Sequence, residues 1–217
     1  MTRPGVGVIW DLPTRIFHWS IVVLIPFSWW SATSGHLPWH RLSGYTILGL
    51  IAFRLIWGVI GSETARFSRF LRGPAAAHAY LTGRLRPVVG HNPLAGWSVA
   101  AMLVVLFVQV GLGLFSVDED GFQAGPLDKF VSFDTGRKIA HLHHLNFYLL
   151  LALIALHLSA VAIYAVRGRN LVSPMITGIG SVPLGEVAPR TQPLWRCLAA
   201  ALPAVLISWF IARGLSF

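Results

Sequence analysis

The feature that most constrains this chain is the recurrence of apolar runs long enough to cross a lipid bilayer. A spanning helix needs about 20 mostly apolar residues. Four stretches meet that length, at about residues 14–32, 40–61, 94–117 and 140–166, and a weaker fifth, at about 194–212, contains Pro203. Composition points the same way. Of 217 residues, 55% are hydrophobic and 12% are charged, about half the charge of an ordinary soluble domain. Eight acidic residues cannot give a chain of this size a solvated surface, which excludes a water-soluble enzyme and a disordered or fibrous chain. The first run ends in the small residues Ser31-Ala32-Thr33, as a signal peptide would. It also carries His18 and Pro26 and lacks a compact basic flank, so it reads as a span.

Seventeen Lys and Arg leave a net charge of +9, and their placement decides what the excess means. A nucleic-acid surface clusters basic residues on one polar face. Here they lie in short links between apolar runs, the distribution of membrane topology. The link at 33–39 has no Lys or Arg, whereas the next link carries Arg66, Arg69, Arg72, Arg84 and Arg86. The third link holds Asp118, Glu119, Asp120, Asp128 and Asp134 against three basic residues, and Arg167, Arg169, Arg190 and Arg196 follow the fourth run. Positive residues stay inside, so the N-terminus is expected in the cytoplasm of a bacterial inner-membrane protein and the acidic link outside. Membrane lipid is the expected surrounding, with no nucleic-acid partner. One cysteine, Cys197, allows neither an internal disulfide nor a covalent C-x-x-C-H haem attachment. Asn92 followed by Pro93 is a helix start, N-cap then first turn.

Nine histidines in so apolar a chain are what a function must explain. Any one of them has a plain structural reading, a neutral ring bonded to helix backbone. Spacing argues for more. At about 100° per residue, His143 and His157, fourteen residues apart, fall within roughly 40° of one helix face. His141 and His144 lie about 160° and 140° from His157. Fourteen residues span about 21 Å, too far for one metal and suited to two sites in a hydrocarbon layer of about 30 Å. Depth supplies partners: His18 with His157 in the inner half, His40 with His143 in the outer half. One imidazole on each side suits a six-coordinate haem, while bare zinc or copper wants three or four close ligands.

Arg54 follows His40 by fourteen residues at the depth of the inner site. A haem propionate would neutralise it; snorkelling to headgroups is the alternative. Gly44, one turn past His40, either leaves room for a macrocycle or packs a helix, and Gly111 and Gly113 are equally open. His36, His78, His91 and His141 are given the plain reading, and His144 adds a possible reach to a propionate or quinone. Most of the tryptophans, among them Trp10, Trp19, Trp29, Trp30, Trp39, Trp57 and Trp97, fit an interfacial belt.

These residues resemble the prokaryotic cytochrome b561 family, in the branch related to the cytochrome b subunit of nickel–iron hydrogenases. The likeness covers roughly four fifths of the chain. It is carried by Trp10-Asp11-Leu12-Pro13-Thr14-Arg15 with Phe17-His18-Trp19, by His40-Arg41 with Gly44, and by Arg54-Leu55-Ile56-Trp57-Gly58. Gly90-His91-Asn92-Pro93-Leu94, Gly125-Pro126-Leu127, the His143 to His157 spacing and Ser173-Pro174-Met175-Ile176-Thr177-Gly178 complete it. His144 stands where the family commonly has an acidic residue.

The resemblance implies an all-α integral membrane protein, a four-helix bundle holding two haem b groups on His18, His40, His143 and His157; the fifth C-terminal span, read from its apolar run, lies beyond the shared core. Residues 10–178 would form the di-haem domain and 179–217 a cytoplasmic loop and last helix. Electrons would pass between quinone and a periplasmic partner, a c-type cytochrome or dehydrogenase subunit. Whether the chain is itself an enzyme stays open. The alternatives are a stand-alone superoxide:quinone oxidoreductase and a non-redox membrane anchor. The acidic link at 118–134 either steers a basic partner or is an ordinary solvated loop.

Overall fold

A computed structural model describes residues 5–84, 89–183 and 186–215; Arg86 of the basic link lies outside the described residues. A short strand β1 (Gly5–Val8) leads into α1 (Leu12–Thr33) and α2 (Leu37–Ile60). Two short helices, α3 (Phe67–Phe70) and α4 (Pro74–Leu81), precede α5 (Pro93–Phe115). Then come α6 (Phe133–Val166), α7 (Val172–Thr177), strand β2 (Ile179–Val182) and α8 (Leu194–Ala212). Five of these helices, α1, α2, α5, α6 and α8, are long and apolar enough to span a membrane. The chain is a mostly helical, multi-pass membrane protein, as its apolar runs require.

Helix α6 begins seven residues before its apolar run. Hydropathy ignores its first turns, but Ser132 caps them, its Oγ accepting from Thr135 N at 3.3 Å, and Asp134 sits in the first turn where negative charge is favoured. The chain forms two compact units. One comprises Met1–His18, Arg54–Ala101 and Ala155–Ala200; the other comprises Trp19–Phe53, Met102–Ile154 and Ala201–Phe217.

In the first unit, Asp11 joins sequence to packing. Its Oδ1 accepts from Thr14 N at 2.9 Å and so caps α1. Its Oδ2 accepts from Trp57 Nε1 at 2.9 Å. Trp57 is therefore buried, 1% exposed, and Trp10 is buried too. Both depart from the interfacial belt expected of them, whereas Trp29, Trp30, Trp39 and Trp97 are about half exposed. Gly58 makes room for α3: a Cβ there would lie 2.0 Å from the Phe67 ring. The expected N-cap at Asn92 forms, with Ala95 N donating to Oδ1 at 2.9 Å. Its amide also donates to Tyr164 Oη, which shares a 2.6 Å bond with Tyr80 Oη. The strands pair antiparallel, Gly5 opposite Val182 and Val8 opposite Ile179. Apolar spacing gave no sign of a ladder four residues long.

In the second unit, Ile47, Leu48 and Ile51 of α2 pack with Leu106, Val110 and Leu114 of α5 and Leu150 of α6. Their steps of three and four residues lay one face of each helix on this core. The fifth long helix belongs to this packing. Ser208 Oγ donates to Tyr45 O at 2.6 Å, and Gly49 lets Ser208 Cβ approach within 3.4 Å of its own ideal Cβ position.

Trp57→Phe removes the only donor that bonds Asp11 Oδ2. The expected loss is about 1–3 kcal/mol, read as a lower unfolding midpoint in detergent; an unchanged midpoint contradicts this role for Asp11.

Candidate functional site

The second unit contains a cavity of about 600 Å³, within the range of about 300–1,000 Å³ usual for cofactor and ligand sites. His40, His143, His144, Gly44, Gly113 and Gln109 are among the residues that line it. The rings of His40 and His143 face each other with centres 6.2 Å apart and planes at 89°.

Each of these imidazoles is oriented from behind. His40 Nδ1 lies 2.9 Å from Ser28 O, with Ser28 Oγ at 3.1 Å. His143 Nδ1 lies 2.9 Å from Gln109 O. A carbonyl oxygen only accepts, so each Nδ1 carries the proton and each Nε2 keeps its lone pair, the tautomer a metal requires. Gln109 Nε2 reaches the His143 Nε2 lone pair at 3.1 Å. The Gln109 amide is itself fixed by Asn146, which donates to Gln109 Oε1 at 2.8 Å and to Val105 O at 3.0 Å.

Two glycines shape the cavity differently. A Cβ at Gly113 would sit 3.1 Å from His143 Cε1, so the ring occupies the space that glycine leaves. A Cβ at Gly44 would meet nothing within 4 Å, and it faces the cavity. His40 and His143, with ring centres 6.2 Å apart beside the cavity, are the two side chains that would hold a haem iron there. The donor set, the open space at Gly44 and the tautomers fit a haem that His40 and His143 would hold. His144 also lines the cavity but is exposed, with its ring centre 6.2 Å from that of His143. His141 is exposed and does not line it.

The first unit holds the other pair. The charge of His157 acts on His18. Arg54, in the same unit, is buried, 3% exposed. It sits over the rings of Phe67 at 5.0 Å and Phe70 at 5.8 Å. Its Nη1 is buried with no hydrogen-bond partner among the described residues. Asp11, the acidic group that attracts it, already spends its oxygens on Thr14 and Trp57. His91, just outside α5, packs between Trp10 at 4.6 Å and Phe70 at 4.9 Å. Burial, and then the charges of Arg54, His157 and His18, push its pKa down to about 3. His91 is thus a neutral member of the same cluster. Among the described residues, no three His, Cys, Asp or Glu side chains converge as a metal cluster would require.

Spacing alone did not find Ser28, Gln109, Asn146 or His91's neighbours. The available signal was an amide in the middle of an apolar helix, as at Gln109 and Asn146, where lipid offers no partner.

Five long apolar helices and imidazoles paired at an internal cavity define a multi-pass membrane protein built to hold a cofactor. The family model described as prokaryotic cytochrome b561 matches residues 9–178, and the chain belongs to that family. It is accordingly a membrane haem-b electron-transfer protein. No curated protein and no solved structure matches the chain.

Gly113→Val drives a branched side chain into the His143 ring, and the protein is expected to retain less haem b on purification. Gly111→Val adds its Cβ where nothing lies within 4 Å and should retain the wild-type amount. Equal retention by both variants would contradict the packing role of Gly113.

Proposed function

We propose that the chain holds two haem b groups, one between His40 and His143 and one between His18 and His157. It would relay electrons between membrane quinone and a periplasmic redox partner, a c-type cytochrome or dehydrogenase subunit. The observation that carries this reading is the His40/His143 pair, with ring centres 6.2 Å apart and both Nδ1 atoms committed to backbone carbonyls. The pairing of His18 with His157 rests on their electrostatic proximity and on the helix face that His157 shares with His143.

Haem, when bound, supplies a one-electron couple, whose potential the surroundings tune. The chain's own work is positional. Ser28 O and Gln109 O hold the two Nδ1 protons, which makes each Nε2 a stronger donor and fixes each ring plane. Gly44 leaves the wall beside His40 open for a macrocycle. Arg54, a buried cation with an unspent Nη1, supplies a donor for a carboxylate. Two imidazoles at each site would fill both remaining positions of a haem iron, which favours electron transfer over oxygen chemistry.

The link distribution supports a bacterial inner-membrane setting. Arg66, Arg69 and Arg72 follow α2, and acidic residues lie between α5 and α6, which favours a cytoplasmic N-terminus. Exposed Glu119 and Asp120 suit a basic partner on the outer face. Residues 10–178 would carry the haems, with 179–217 adding the loop and last helix. The branch resembled by the sequence, that of the hydrogenase cytochrome b subunit, fits such a relay.

His143→Ala and His157→Ala should each lose one haem and keep the other, read from the reduced b-type α-band. His144→Ala should keep both; loss of a haem there would contradict the choice of ligand face. With their planes at 89°, His40 and His143 would give a bound haem a highly anisotropic low-spin ferric EPR signal. It should vanish in His143→Ala and persist in His157→Ala; the reverse pattern would contradict the pairing.

A further inference from the structure

Two buried nitrogen atoms in the first unit, one of them on a cation, lack a partner and point to one absent group. Arg54 Nη1 and His91 Nδ1 are both shielded from solvent, and neither has a hydrogen-bond partner among the described residues. They share a wall, since Phe70 lies 4.9 Å from the His91 ring and 5.8 Å from the Arg54 guanidinium. Leaving one such group unmet is costly, and leaving two together at a cation is costlier. Nearby groups do not relieve them. Asp11 bonds Thr14 and Trp57, Glu63 meets Arg69 at 3.8 Å and Arg190 N at 3.2 Å, and neither acid bonds Arg54 Nη1 or His91 Nδ1. What fits is an anion with several acceptor lone pairs, reached by a guanidinium from one side and an imidazole N–H from the other.

Two sources could provide that chemistry: a carboxylate of the haem on His18 and His157, or a small free anion. A free anion has a route in, because His91 also lines a cavity of about 190 Å³ with Arg69 and Arg72. The burial of both atoms, and the electrostatic reach of His18 and His157 to His91, favour the resident group. The geometry points to His91 as a second haem-propionate donor, acting with Arg54 at the His18/His157 site. This inference rests on the di-haem reading above. It also assigns a use to a histidine whose sequence position suggested only packing.

The consequence is a redox one. A hydrogen bond to a propionate draws negative charge away from the iron and favours the ferrous state. The test is potentiometric titration of the holoprotein, with resonance Raman of the propionate-bending mode, in wild type, His91→Phe and His91→Gln. Phenylalanine keeps a ring between Trp10 and Phe70 but donates nothing, and His91→Leu serves as a second donor-free variant. The donor-free variants should lower the potential of one haem and shift its propionate mode, with the other haem unchanged. His91→Gln should recover both towards wild type. An unchanged potential and mode in the donor-free variants overturns the proposal. So does an equal fall in all variants with no Raman shift, since that reports packing alone. Repeating the wild-type titration across inorganic phosphate concentrations separates the sources. A potential that follows phosphate in wild type, and not in His91→Phe, assigns the pocket to a free anion and overturns the propionate. A wild type that titrates as fewer than two haems removes the di-haem reading itself, and this inference with it.

Discussion

The structure depends on imidazoles whose Nδ1 atoms are bonded to backbone carbonyls of a neighbouring helix. In lipid no water satisfies a ring N–H, so a histidine on a spanning helix must find its partner within the protein. His40 finds Ser28 O on α1, and His143 finds Gln109 O on α5. Each bond ties two helices together and at the same time fixes which nitrogen keeps a lone pair. One interaction therefore links sequence, packing and chemistry. Gly113 is its steric counterpart, since any Cβ there would press on the ring.

The first unit solves a related problem with charge. Arg54 is buried beneath two aromatic rings, and those rings come from α3, the four-residue helix that comes next after α2. Gly58 permits the turn to fold back so closely. The link after α2 is therefore more than a basic topological signal. It lays Phe67 and Phe70 over the arginine, and Phe70 carries His91 on the same ring. Asp11 anchors the assembly by capping α1 and bonding Trp57.

Much of this was legible in the residues. Apolar run length found all five long helices, and Asn92-Pro93 marked the start of α5, because lipid and helix geometry leave few alternatives. The 100° rule separated His143 from His141 and His144, and His143 is the one that faces His40. Depth brought those two together across 103 residues of chain (143 minus 40). Other features were hidden for physical reasons. Gln109 and Asn146 act through bonds to another helix, which no single-helix period encodes. Trp57 looked interfacial because its position near a helix end says nothing of Asp11 waiting 46 residues earlier. The β1–β2 pair is too short to register as alternation, and its register comes from contacts distant in sequence. Ser132 and the polar first turns of α6 lay outside any apolar window.

The central claim is that two pairs of imidazoles each retain one iron porphyrin. Pyridine haemochrome analysis of the purified, unmodified protein, set against amino-acid analysis of the same sample, tests it most directly. The account predicts two b-type haems for each polypeptide; a single haem, or none, would contradict it.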